Sequence, residues 1–179
     1  MKSRPNRACT LLLLLLLTTA CRGRHSRSEV RNEEPEGTPG IASVVKMSNS
    51  AATVQLLKGF HALEGGAWRW TAGKFQVLLK TPLGAAQRGA VLSFVFSVPE
   101  VVTQKLSVIT LSASIGTTKL KSETYSKPGA YTFSADVAAA LLAGEAVTLD
   151  FEFDKSLAAG SVDQRELAVV ATSIGLESK

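Results

Sequence analysis

Residues 147–154 read Val147-Thr148-Leu149-Asp150-Phe151-Glu152-Phe153-Asp154, an unbroken alternation of apolar and polar side chains. A period of two places every apolar residue on one face of a strand and every polar residue on the other, so this segment predicts a half-buried β-strand. The same alternation recurs upstream. Phe75, Val77 and Leu79 are interleaved with Lys74, Gln76 and Lys80, and Leu92, Phe94 and Phe96 with Ser93 and Ser97. Leu106 and Val108 lead a run to Ser114, Tyr131 and Phe133 flank Thr132, and residues 166–176 close the pattern with Leu167, Val169, Val170, Ile174 and Leu176. Turn signals such as Lys127-Pro128-Gly129 and Ala158-Ala159-Gly160 separate these segments. Together they predict an all-β fold, an antiparallel sandwich of jelly-roll type. One exception is expected: residues 136–144, with an acidic cap, an Ala- and Leu-rich middle and a closing Gly, predict a single short helix.

The alternation starts near Val54, which sets the expected domain at residues 54–179. The whole chain has 179 residues, 45% hydrophobic and 20% charged, enough for one packed core and against wholesale disorder. Only two histidines occur, His25 and His61, which leaves little material for an imidazole-based active site. The net charge of +5 is unevenly spread: from Val54 onward twelve basic side chains face eleven acidic ones, so the surplus belongs to the N-terminus. A nucleic-acid binder gathers its basic residues on the folded surface. No nucleic-acid partner is expected here.

The N-terminus reads as an address. Lys2, Arg4 and Arg7 precede seven consecutive leucines, Leu11–Leu17, and the small residues Thr18-Thr19-Ala20 follow. That order predicts a secretory signal peptide over residues 1–20. Its apolar run falls short of the ~20 residues that a spanning helix needs. The leucine run followed by Thr-Thr-Ala-Cys resembles the lipobox of bacterial lipoproteins, although the usual Leu sits one place early, at Leu17. The resemblance implies that Cys21 is lipidated and becomes the mature N-terminus, so that the protein is exported and anchored to a bacterial membrane, facing the periplasm or the cell surface. The other reading is ordinary cleavage after Ala20. It leaves Cys21 as a lone thiol, a liability in an oxidising compartment, because Cys9 departs with the signal. Residues 21–53, rich in Arg, Glu, Pro, Gly and Ser, read as a flexible tether. Within them residues 41–47 also fit a first edge strand.

Two motifs flank the strand pattern. Gly59-Phe60-His61-Ala62-Leu63-Glu64 and Trp68-Arg69-Trp70-Thr71 stand early, and Asp154-Lys155 and Asp163-Gln164-Arg165-Glu166-Leu167-Ala168-Val169 stand late. Together they resemble the jelly-roll β-sandwich modules of bacterial envelope and glycosyltransferase-associated proteins, similar in fold to galactose-binding-like and carbohydrate-binding domains. The resemblance runs from about Val54 to Leu176. Such modules usually have Gly where this chain has Ala168. The family implies an accessory, non-catalytic role.

Several constellations are candidates for chemistry. Trp68 and Trp70 are two apart, so on a strand they share a side, where paired indoles offer a platform for a sugar ring. The alternative is burial of one or both in the core. Arg69 is a candidate ligand contact, or a structural partner of Glu64 or Glu166. Glu64, Asp163, Arg165 and Glu166 form a candidate structural charge cluster, with at least one Arg–carboxylate contact expected to join the two motifs. Asp150, Glu152 and Asp154 fall on one strand face, the kind of oxygen set that calcium uses, but they lack a ligand loop with a Gly turn and read better as a solvated face. Glu64 and Glu166 carry no sign of converging as a glycosidase pair. No Ser-His-Asp order, metal-ligand spacing or phosphate-cradling Gly loop is present, so no catalytic residue, metal ligand or cofactor is assigned. Two functions remain: a membrane-tethered module binding a glycan or other small polar ligand, or a structural lipoprotein docking an envelope protein.

Overall fold

The alternating segments become strands. A computed structural model describes residues 40–179, and within them nine strands form: β1 (Val44–Lys46), β2 (Leu56–Phe60), β3 (Arg69–Lys80), β4 (Ala90–Val98), β5 (Ile109–Ile115), β6 (Thr118–Tyr125), β7 (Gly129–Val137), β8 (Ala146–Phe153) and β9 (Val170–Ser178). Two short α-helices, α1 (Ala85–Arg88) and α2 (Glu100–Leu106), and two 3₁₀ turns, Ser50–Gln55 and Ala139–Leu142, fill the connections. The expected signal peptide, Cys21 and the tether as far as residue 39 lie outside the described residues.

Every pairing is antiparallel. One layer runs β7-β4-β9-β1 and the other β6-β5-β8-β3-β2. Most connections pass from one layer to the other, which is the jelly-roll pattern. β3 belongs to both layers. Its first residues, Arg69 and Trp70, pair with Ala171 and Val170 of β9, whereas residues 74–80 pair with β8.

The period-two reading holds in the packing. Phe75, Val77 and Leu79 of β3, Leu92, Phe94 and Phe96 of β4, and Leu149, Phe151 and Phe153 of β8 are all buried. Phe75 stacks on Phe151 with ring centroids 4.9 Å apart, and Phe94 from the opposite layer closes on both rings at 5.5 and 5.3 Å. Such a triad joins the two layers through their largest apolar groups, each worth about 1.5–3 kcal/mol of burial.

Two expectations are corrected. The short helix over residues 136–144 does not form. β7 continues to Val137, with Asp136 opposite Val91 in the ladder and Val137 buried opposite Ala90, and only Ala139–Leu142 coils, as a 3₁₀ turn. Burial of Phe133, Ala135 and Val137 on one strand face outweighs the helix propensity of the alanines. The second correction concerns the tether. Residues 42–53 pack into the domain: Val45 and Met47 are fully buried, and Gln55 accepts from Ala42 N–H at 3.0 Å while its amide donates to the carbonyls of Ala42 and Leu78. The reading of residues 41–47 as a first edge strand is met by β1, which pairs with β9.

Candidate functional site

The residues singled out by the sequence meet where β3 begins. Ala67 N–H donates to Glu64 O, closing a turn through Gly65-Gly66, and Glu64 N–H donates to Trp68 O. Trp68 is half-buried, with its indole over Gly65, and Trp70 is partly buried against the core. The two indoles therefore have different surroundings. Arg69 is 8% exposed, and its guanidinium donates inward to His61 O at 3.0 Å and Thr53 Oγ1 at 3.1 Å. As a candidate ligand contact Arg69 is corrected: the alternation of β3 turns it to the same face as Thr71 and Phe75, away from solvent. It meets neither Glu64 nor Glu166.

Arg165 is the cation that joins the early and late motifs. Its Nη1 lies 2.6 Å from Glu64 Oε1, and its Nε and Nη2 each lie 3.0 Å from the two Asp163 oxygens. The side chains of all three are about one-third exposed. Hydrogen bonds from the Arg165 side chain, and then from its backbone N–H, hold the Asp163 carboxyl down to about 2, and the same carboxylates push the guanidinium up. Glu166 stands apart from this network. Its carboxylate accepts from Gly73 N–H at 3.0 Å and Ser156 Oγ at 2.6 Å, and its backbone oxygen lies 2.7 Å from His61 Nε2. The position has no side chain, and a Cβ there would fall 2.8 Å from the Glu166 oxygen, so the carboxylate would have to shift. Glu64 and Glu166 thus serve separate partners within a structural latch.

A second feature was not assigned from sequence. On the outer face of the β2-bearing layer lies a groove of about 440 Å³. Ladder register builds its floor in two rows. Lys58, Gln76, Asp150, Ser114 and Lys119 stand side by side on five neighbouring strands, and Lys74, Glu152, Ser112 and Ser122 form the next row on four of them. Glu152 pairs with Lys74 at 2.7 Å, Gln76 donates to Asp150, and Ser112 and Ser122 share a hydrogen bond of 2.7 Å. The intervening Phe75, Ala113 and Phe151 are buried beneath. Asp154, the third acid of the β8 region, accepts from Thr110 N–H at 2.6 Å, so the three acids have three different partners. A further, more open hollow of about 480 Å³ lies between the β3–β4 connection and the Ala139–Leu142 turn, beside Leu83, which is 97% exposed.

No protein-family model matches this sequence, and no curated protein matches it. Among solved structures it is similar to CsCBM6-3 from Clostridium stercorarium, determined in complex with cellobiose, at 11% identity and a TM-score of 0.42, over 80% of this chain and 99% of that one. It is also similar to the CBM51-2 and INT domains of Clostridium perfringens ZmpB in complex with GlcNAc, at 11% identity and a TM-score of 0.37, over 77% of this chain and 28% of that one. A CBM4 structure follows, at 11% identity and a TM-score of 0.32, over 75% of this chain and 85% of that one.

Proposed function

We propose that this protein is a non-catalytic binding module that takes a glycan chain in the groove above β3, β8 and β5, and that a lipid on Cys21 holds it to a bacterial envelope membrane. The observation that carries the reading is the pair of polar rows. Strands about 4.8 Å apart present alternating donors and acceptors at even intervals, which suits a ligand with hydroxyls repeated along its length. The latch around Arg165 supports the fold at the opposite chain ends and leaves the groove open. Titration of the full chain against an oligosaccharide panel, read by calorimetry, tests the reading. At least one oligosaccharide is expected to bind, and Gln76→Ala with Ser114→Ala should weaken it by up to about tenfold per lost hydrogen bond. Binding that ignores both substitutions removes the groove from consideration. The nearly naked Leu83, beside its shallow hollow, favours a second reading, docking of an envelope protein. That reading gains if every saccharide fails and Leu83→Ser abolishes capture of a partner.

A further inference from the structure

The groove's charges narrow the kind of glycan. We infer that its ligand is an acidic saccharide chain, one carrying carboxylates or sulfates; this rests on the reading that the groove takes a glycan. Three lysines and two acids line the groove, a balance of +1: Glu152 is paired with Lys74, and Asp150 accepts from the Gln76 amide and keeps its charge. Among the described residues the remaining two lysines, Lys58 and Lys119, have no carboxylate within ion-pair distance. Both are exposed, and both line the groove.

Their placement is set by the ladder. Lys58 pairs with Gln76, Gln76 with Asp150, Asp150 with Ser114, and Ser114 with Lys119, so the two ammonium groups end one continuous row. Four strand spacings separate them, roughly 19 Å along the row. A chain lying across the strands would thus meet Gln76, Asp150 and Ser114 in the middle, where hydroxyls suit better than anionic groups, and a cation at either end.

The floor argues the same way. Phe75 and Phe151 are 1% and 2% exposed, so their rings offer no stacking surface to the groove. A neutral sugar would exchange its bonds to water for bonds to Gln76, Ser112 and Ser114, a trade of small net gain. Charged oxygens that reach Lys58 and Lys119 add an attraction that hydroxyls cannot supply, and salt screens it over about 8 Å at physiological ionic strength. An acidic ligand therefore uses both the polar rows and the two lysines, and a neutral one only the rows.

The test compares matched probes on the full chain by calorimetric titration. One pair is oligogalacturonate and the same oligomer with its carboxylates reduced to alcohols. The other is a heparin oligosaccharide and its desulfated form. Because Arg22, Arg24, Arg27 and Arg31 also attract anions, the decisive comparison is with the Lys58→Gln, Lys119→Gln variant, in which those arginines are unchanged. At least one acidic probe should bind about tenfold tighter than its neutral counterpart, and in the double variant the acidic and neutral members of each pair should bind alike. A preference that survives the substitution, or equal binding of acidic and neutral members, overturns the inference and leaves the glycan reading standing. Failure of every saccharide to bind overturns both.

Discussion

Gly59 occupies φ +73° at the bulge where β2 shifts register along β3, and there a Cβ would sit 2.1 Å from the carbonyl oxygen of Lys74. Gly116, in the β5–β6 turn, has a similar φ of +55° with nothing near its missing side chain. The contrast separates strain from collision. Gly116→Ala should cost about 1–2 kcal/mol from the left-handed backbone alone, and Gly59→Ala distinctly more, as read from denaturant midpoints. Equal costs would mean that β2 moves aside freely. Asp163 gives a prediction in pH. Its carboxyl is held at about 2 in the folded chain against 3.8 for the free group, so its stabilising contribution is complete above the free value and disappears as pH falls toward the folded one. The melting-temperature gap between the native chain and Asp163→Asn should therefore close between about pH 4 and pH 2. A gap that stays constant over that window detaches Asp163 from the latch. At this scale the sequence was uneven evidence. Charged residues at Glu64, Asp163 and Arg165 suggested a contact between distant motifs, whereas Arg69 misled, because it lies three same-face positions before Phe75, and the intervening Gly73 and Thr71 give no apolar signal.

Among the elements, β3, β4 and β8 were legible because each buries every second residue, and the buried positions from Phe75, Ala90 and Val147 onward are all apolar, even though Leu78, Val91 and Val95 interrupt the polar side of the pattern. β6 was not legible. It lies at a sheet edge with both faces largely open, and its Lys119, Lys121 and Glu123 carry no apolar rhythm. α2 was obscured as well, since Val101 and Val102 are β-formers and only Pro99 with Glu100 marks a helix start. The groove shared the difficulty of β6. Its residues are the outward halves of strands whose inward halves gave the signal, and nothing local links Gln76 to Asp150 or Ser114 to Lys119 before the ladders are known. β1 supplies the test at this scale. A fragment starting at Val54 lacks buried Val45 and Met47, together with the Ala42 carbonyl that receives the Gln55 amide. Residues 40–179 should fold as a β-rich monomer, and residues 54–179 should be less stable by about 3–6 kcal/mol, the burial of two core side chains. Matching urea midpoints for the two fragments would place the domain boundary back at Val54.

For the molecule as a whole, the proposed anchor makes location a consequence of one sulfur atom. Grown with a radiolabelled fatty acid, the native protein should carry label and sediment with membranes, and Cys21→Ser should do neither. Label retained by Cys21→Ser assigns the lipid elsewhere. The folded part adds a property of its own, which follows from the sharing of β3. Since Arg69 and Trp70 pair with β9 while residues 74–80 pair with β8, neither layer keeps all its hydrogen bonds if the other comes apart. The sandwich should then behave as one cooperative unit under hydrogen exchange. The slowest amides of β4 and of β8, though in different layers, should exchange through a single global opening and report the same free energy.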